Sequence, residues 1–540
     1  MRMRLLATVL LLVTTAAAQS GLPVMNAEKW RQDLHYFATE APKRHKNLYH
    51  TMTREQFETA VATLDRRIPQ LNDDQVVAEL ARIVAMIRDG HTYMAFGRGA
   101  LDYPRLPLRF EILDDGVLVR ATDPAYAQLV GGKLLSMGGR KAGEVLRTVE
   151  ELAPRDNDMT VRSRTPLFLV TPAVLHGLGL IADTAQVPIT VEKDGREVRA
   201  TVKSEPAPPE NRHGWVPDPS WVQVSGRNLP LWLRHPDDNY WYEYLPESHT
   251  LYIQWNTIQN KKDETVAQFF HRVFEFAATQ PVERLVLDLR LNGGGNNYLN
   301  TEPIKDILRS PLNQRGKFFV LIGPRTFSAA QNLTNILHKY SEAVWVGEPT
   351  GGSPNSYGDP APLTLPNSKI QIYLSTLWWQ DLDERDKRAW QAPDVAAEPT
   401  IKDFDAGRDP VMEAVLQWKD RPSLEETVRA DVKRKDYAAL QADYRAFRAD
   451  PANRYADFEN EFNNLGYEFL ASGDTQGAIE VFKLNVEAYP KSWNVYDSLG
   501  EAYMKAGQKA PAIENYEKSL KLNPQNRGGE AALVQLRAAK

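Results

Sequence analysis

The chain has 540 residues, 42% of them hydrophobic, with a formal charge of -5 and a pI near 6.1. That length can bury two to four cores, and the acidic balance offers no basic surface for nucleic acid. The absence of cysteine excludes disulfides, thiolate metal sites, a cysteine nucleophile and a lipid-modified cysteine anchor.

The opening MRMRLLATVLLLVTTAAAQS sets Arg2 and Arg4 ahead of the apolar run Leu5 to Val13 and ends in small residues. This is the pattern of a secretory signal peptide over residues 1–18, so a secreted or periplasmic protein is expected. The run is too short to span a bilayer, and no later stretch reaches the ~18 apolar residues of a membrane helix. Residues 26–100 are expected to form a helical region. EKWRQDLHYFATEA, REQFETAVATLDRRI and DDQVVAELARIVAMIRD carry apolar residues at helical spacing, the third capped at Asp73 or Asp74. Gly90 then breaks the helix and delivers His91 into a turn, where on its own it reads as an ordinary polar loop histidine.

Residues 108–205 change to short alternating strands, RFEIL, GVLVR, VPITVEK and EVRATVK, around helices. Within them VGGKLLSMGGRKAGEVLRTVEEL resembles the strand, glycine turn and helix of PDZ modules. A PDZ-like domain is expected there, either reading a substrate chain end or serving as a spacer. Proline-rich EPAPPE marks a linker. From residue 240 to 415, strands such as LYIQW alternate with amphipathic helices such as ETVAQFFHRVFEFAATQ, which predicts an α/β core.

Two corners of that core carry the chemistry. Phe318 to Ile322 read as a buried strand and Ala329 to Tyr340 as a helix, with Ser328 at the join. A serine there is either a helix cap or a nucleophile held beside free N–H groups and the positive end of a helix dipole. The buried strand Leu285 to Leu291 is followed by Gly293, Gly294 and Gly295, a turn whose backbone N–H groups can hold an oxyanion. Together LDLRLNGGG, TFSAAQN and VGEPTGG resemble the core of the tail-specific (C-terminal-processing) serine peptidases and of the tricorn protease, over residues 28 to 415. Retinoid-binding proteins are non-peptidase relatives of that family.

The resemblance implies a crotonase/ClpP-like fold of spiralling ββα units and hydrolysis of peptide bonds with Ser328 as nucleophile. The tail-specific branch places a catalytic lysine where this chain has Gly351, Gly352 and Ser353, and there is no lysine between Lys339 and Lys369. The histidine branch is therefore the better match, with His91 in its DGHT turn as general base. Asp386, preferred over Glu348, is expected to orient His91. Gly294 or Gly295, with Ala329, is expected to supply the oxyanion hole. No cofactor or metal is expected.

The region from 423 to 540 is separate. Leu465 and Leu499, Gly473 and Gly507, Ala478 and Ala512, Phe482 and Tyr516, and Pro490 and Pro524 lie 34 residues apart. That period is the tetratricopeptide pattern, completed by the helical stretch before it, and implies a protein partner. The expected whole is an α/β, multidomain, exported serine peptidase acting on a peptide or protein. A non-catalytic binding protein on the same fold, or a tetratricopeptide scaffold with a remnant core, are the alternatives.

Overall fold

A computed structural model of the protein describes residues 21–206, 216–224 and 229–538. The signal peptide expected over residues 1–18 lies outside the described residues. Among these residues no helix is long and apolar enough to cross a membrane.

Alternation of strand and helix from residue 240 onward builds a six-stranded sheet. Its spatial order is Val395–Ala396, Val344–Gly347, Phe318–Ile322, Arg284–Asp288, Thr250–Trp255 and Tyr240–Leu245, parallel throughout except for the last pair. Parallel strands are covered on both faces, which explains their continuous apolar runs. Leu285, Leu287, Phe318, Val320 and Ile322 pack toward helices Val266–Thr279 and Ala329–Tyr340, whereas Val286, Phe319 and Leu321 pack toward helix Pro410–Gln417. Because Arg284–Asp288 and Phe318–Ile322 are parallel neighbours, the glycine turn and the Ser328 corner leave the same edge side by side.

The N-terminal helices are Ala27–Arg44, Arg54–Arg67 and Asp73–Ala85. The third is capped by Asn72, not by Asp73 or Asp74: Asn72 accepts from the Gln75 N–H, and Asp73 instead takes the Trp30 indole N–H. Strands Leu108–Leu113, Gly116–Thr122, Lys133–Met137, Gln186–Lys193 and Arg196–Lys203 follow as an antiparallel sheet. One apolar cluster runs through the helices, this sheet and hairpin residues Leu363 to Leu374.

Beyond Val344–Gly347, Asn355–Thr364 is a strand paired with Gln371–Gln380. It tolerates Pro360 and Pro362 because it lies at the edge of its sheet, with one side unpaired. The other side of Gln371–Gln380 pairs with Tyr93–Met94, and this fixes the turn that carries His91.

Seven helices from Leu424–Arg434 to Arg527–Ala538 form the C-terminal region. The 34-residue period is visible in its packing. A Cβ on Gly466 would meet the Phe482 ring at 2.4 Å, and one on Gly500 would meet the Tyr516 ring at 3.2 Å. Small residues at equivalent positions thus let each helix pair close on an aromatic ring.

Candidate active site

Ser328 sits at φ 56° and ψ -127°, a conformation that costs a residue with a Cβ on the order of 1–3 kcal/mol. Its side chain caps nothing, although it occupies the N-cap position of Ala329–Tyr340. Oγ lies instead 2.8 Å from His91 Nε2. Of the two sequence readings of this serine, the cap is thereby excluded.

The corner is tied to the neighbouring strand end at two points. Thr326 Oγ1 donates to the Leu289 carbonyl at 2.8 Å, and the Phe327 N–H donates to the Asn292 carbonyl at 3.0 Å. Below the glycine turn, Arg290 donates to Asp288 and, through both terminal nitrogens at 2.9 Å, to Asp409. Burial alone would lower the Arg290 guanidinium; Asp288 and Asp409 more than reverse this and hold it well above its usual value. The Asp-Leu-Arg of the motif is therefore a buried ionic brace for the turn.

His91 is positioned by its own turn. The buried Asp89 carboxylate accepts from the N–H groups of His91 and Thr92 at 2.8 and 3.1 Å, from Thr92 Oγ1 at 2.5 Å, and from Ser375 Oγ at 2.9 Å. Asp89 also lies 2.7 Å from His45 Nε2. Burial works against its charge, but His45 and Thr92 prevail and hold its pKa below the usual value. Gly90 donates its N–H to Asp156 at 2.7 Å. Burial, reinforced by the charge of Asp89, pushes Asp156 up to about 7.

The His91 ring stacks on Phe327 with centroids 4.4 Å apart. Burial lowers its pKa to about 4 against the opposing pull of Asp89, so the imidazole is neutral near pH 7. Nδ1 faces the Tyr357 carbonyl, outside full hydrogen-bond geometry.

Asp386 is not brought to His91. Its carboxylate is held by Arg388, with Nε at 3.1 Å and Nη2 at 2.8 Å, and the histidine whose charge it senses is His338. Glu348 is likewise held by Arg162 at 2.8 Å. No carboxylate reaches His91 Nδ1, and the described residues hold the His91 turn through Asp89 instead.

The oxyanion residues divide. The Gly294 N–H is taken by Asn292 Oδ1 at 2.9 Å, which removes it as a donor. The Gly294 carbonyl accepts from Ile258, and a trans peptide then points the Gly295 N–H the opposite way, away from Ile258. The Ala329 N–H is in the first helical turn, where no carbonyl lies four residues back to receive it. A Cβ on Gly294 would stand 2.6 Å from Ser328 Cβ and 2.9 Å from Ala329 N, so glycine there lets the two corners touch. Gly351, near where the lysine is missing, is packed so that a Cβ would meet the Pro324 carbonyl at 2.2 Å.

Asp89 had a local signal, two residues before His91 in an Asx-type turn.

Among solved structures, mature CPAF complexed with lactacystin aligns with 76% of this chain and 99% of its own, at 13% identity and a TM-score of 0.51. A CPAF mutant covers 73% and 99%, at 13% identity and a TM-score of 0.52. At such identity the likeness is one of fold. The photosystem II D1 C-terminal processing protease aligns with 73% of this chain and 98% of its own at 13% identity, but its TM-score of 0.35 carries no weight. The tetratricopeptide repeat model matches residues 493–526. No curated protein sequence matches the chain.

Proposed function

We propose that the protein is an exported serine peptidase of the histidine-dependent kind. The observation that carries this reading is the 2.8 Å contact from Ser328 Oγ to His91 Nε2, made by a strained serine that caps nothing. In the proposed reaction His91 Nε2 accepts the Ser328 hydroxyl proton as Oγ attacks the scissile carbonyl. The N–H groups of Gly295 and Ala329 stabilise the oxyanion, and protonated His91 then gives its proton to the leaving amine. Water, deprotonated by the same imidazole, releases the acyl group. The CPAF-like fold supports the reading by providing parallel strand ends that present both corners together.

The tetratricopeptide repeats are proposed to engage a protein partner, and the leader sequence supports a secreted or periplasmic site of action. The test is covalent labelling by a fluorophosphonate together with hydrolysis of an unstructured peptide. Labelling and turnover that vanish together in Ser328→Ala support the peptidase; turnover retained in that variant overturns it.

A further inference from the structure

A cleft of about 660 Å³ opens over Phe327 and the Gly293–Gly295 turn. Its charged lining is one-sided: four arginines, at positions 98, 105, 164 and 325, and not one aspartate, glutamate or lysine. Two of the four are engaged, Arg105 with Asp102 at 3.6 Å and Arg325 with Glu111 at 3.2 Å. Arg164, on helix Asp158–Leu169, makes no hydrogen bond or ion pair among the described residues. Its guanidinium lies over the Phe327 ring, 5.4 Å from the centroid, and His91 stacks on the same ring. It is open to solvent through the cleft while protein surrounds it; burial, with the nearby Arg325 and Arg98, works against its charge and prevails over Tyr93 and Asp156, which favour it. Arg98 is also exposed in the cleft.

A guanidinium that forms no ion pair among the described residues, stacked on the ring next to Ser328 in a cleft lined by no aspartate or glutamate, suits a carboxylate. We infer that Arg164, assisted by Arg98, receives a carboxylate of the substrate and so sets which peptides reach Ser328. The inference rests on the peptidase reading for its consequence but not for its test. The carboxylate is either an acidic side chain near the scissile bond or the terminal carboxylate of the chain. Both offer the two parallel oxygens that a guanidinium fork matches.

The experiment uses the full-length protein and two pairs of matched peptides. One pair carries glutamate or glutamine at the same position; the other ends in a free carboxylate or an amide. Binding is read by fluorescence anisotropy on Ser328→Ala, which needs no turnover, and kcat/KM is read on the unaltered enzyme. In at least one pair the acid is expected to bind about tenfold to a hundredfold tighter than its neutral partner. Which pair does so identifies the source of the carboxylate. Adding Arg164→Gln to Ser328→Ala should bring that ratio near one, and Arg164→Glu should reverse it in favour of a lysine-containing peptide. A ratio is insensitive to partial loss of folded protein.

Equal binding within both pairs overturns the inference, as does a preference that survives Arg164→Gln. Loss of labelling and turnover on every peptide, with the acid preference intact, would sink the peptidase and leave the carboxylate site standing.

Discussion

His91 Nε2 and Ser328 Oγ stand 2.8 Å apart across 237 residues of chain, and among the described residues neither atom has another hydrogen-bond partner. The pairing is imposed from both sides. The strand Tyr93–Met94 docks on the hairpin and sets His91, while Thr326 and Phe327 pin the serine corner to the glycine turn. A side chain held in a strained backbone by that many ties is preorganised for one contact.

Ser328→Ala should lower peptide hydrolysis about a thousandfold or more without unfolding the protein, because the lost hydroxyl satisfies no helix N–H. Ser328→Gly should be equally inactive yet more stable than the alanine variant, by about 1 kcal/mol. Relief of the strain at φ 56° outweighs the entropy glycine loses on folding. Parallel thermal melts check this, and a glycine variant less stable than the alanine one contradicts the strain.

The base must be neutral to act, so kcat/KM should rise with pH through the titration of His91. Burial places that titration near pH 4, well below the ordinary histidine range. Activity should therefore already be close to its plateau at pH 6. The same shift fixes the sign of the stability change. Between about pH 6.5 and 4 the unfolded chain takes up a proton that folded His91 refuses, so stability falls by about 1.4 kcal/mol per pH unit from this group. A pH–rate profile with its acid limb centred at 6.5 or above contradicts a buried imidazole base.

Gly294→Ala should cost about a hundredfold or more in kcat, since the new Cβ would press on Ser328 Cβ at 2.6 Å and on the Phe327 carbonyl at 2.8 Å from a backbone at φ +98°. Gly295→Ala should be as damaging, through the Ile258 carbonyl at 2.3 Å and φ +143°. Gly293→Ala meets nothing within 4 Å and should fold as the parent does. Turnover and melting curves on the three variants separate a required turn from a tolerant one, and equal effects at all three would count against it.

Asp386→Asn should leave kcat within about threefold, because Arg388 already holds this carboxylate away from His91. Asp89→Asn should do far more harm. It weakens a buried acceptor of four protein donors around the His91 turn, and loss of one charged hydrogen bond there costs about 1.5–3 kcal/mol. Steady-state kinetics on the pair decide it: comparable losses would return Asp386 to the site.

What was legible in the sequence was what is local. The strands of the sheets, the 34-residue spacing that places Gly466 on Phe482 and Gly500 on Tyr516, and the two corners at Ser328 and the glycine turn all follow from short-range pattern. Asp386 was misplaced because its partner, two residues away, competes successfully with a distant histidine. The donor role of Gly294 was lost to a neighbouring asparagine side chain. Arg164 looks in sequence like any polar residue on a helix. Only the cleft around it gives it meaning.

The C-terminal repeats offer the last prediction. Their period and their position after the core suit them to a partner rather than to chemistry, and their contact with the rest of the chain is concentrated at Arg454 and Tyr455. Arg454 bridges Asp114 at 2.7 Å and Glu398 at 2.6 Å, and the Tyr455 hydroxyl donates to Glu398. Neither Asp114 nor Glu398 touches His91, Ser328 or the glycine turn. A chain ending near Pro422 should therefore cleave a short unstructured peptide at a rate comparable with the full protein. Its melting temperature should fall by a few degrees, since Glu398 loses both partners and burial already raises its pKa. Preference among protein substrates, or a partner recovered by pull-down, should be lost. Arg454→Ala in the full chain should reproduce part of the stability loss while sparing the partner. A truncated protein that is folded and monodisperse but inactive on the short peptide would place the repeats inside the active site and refute this division of labour.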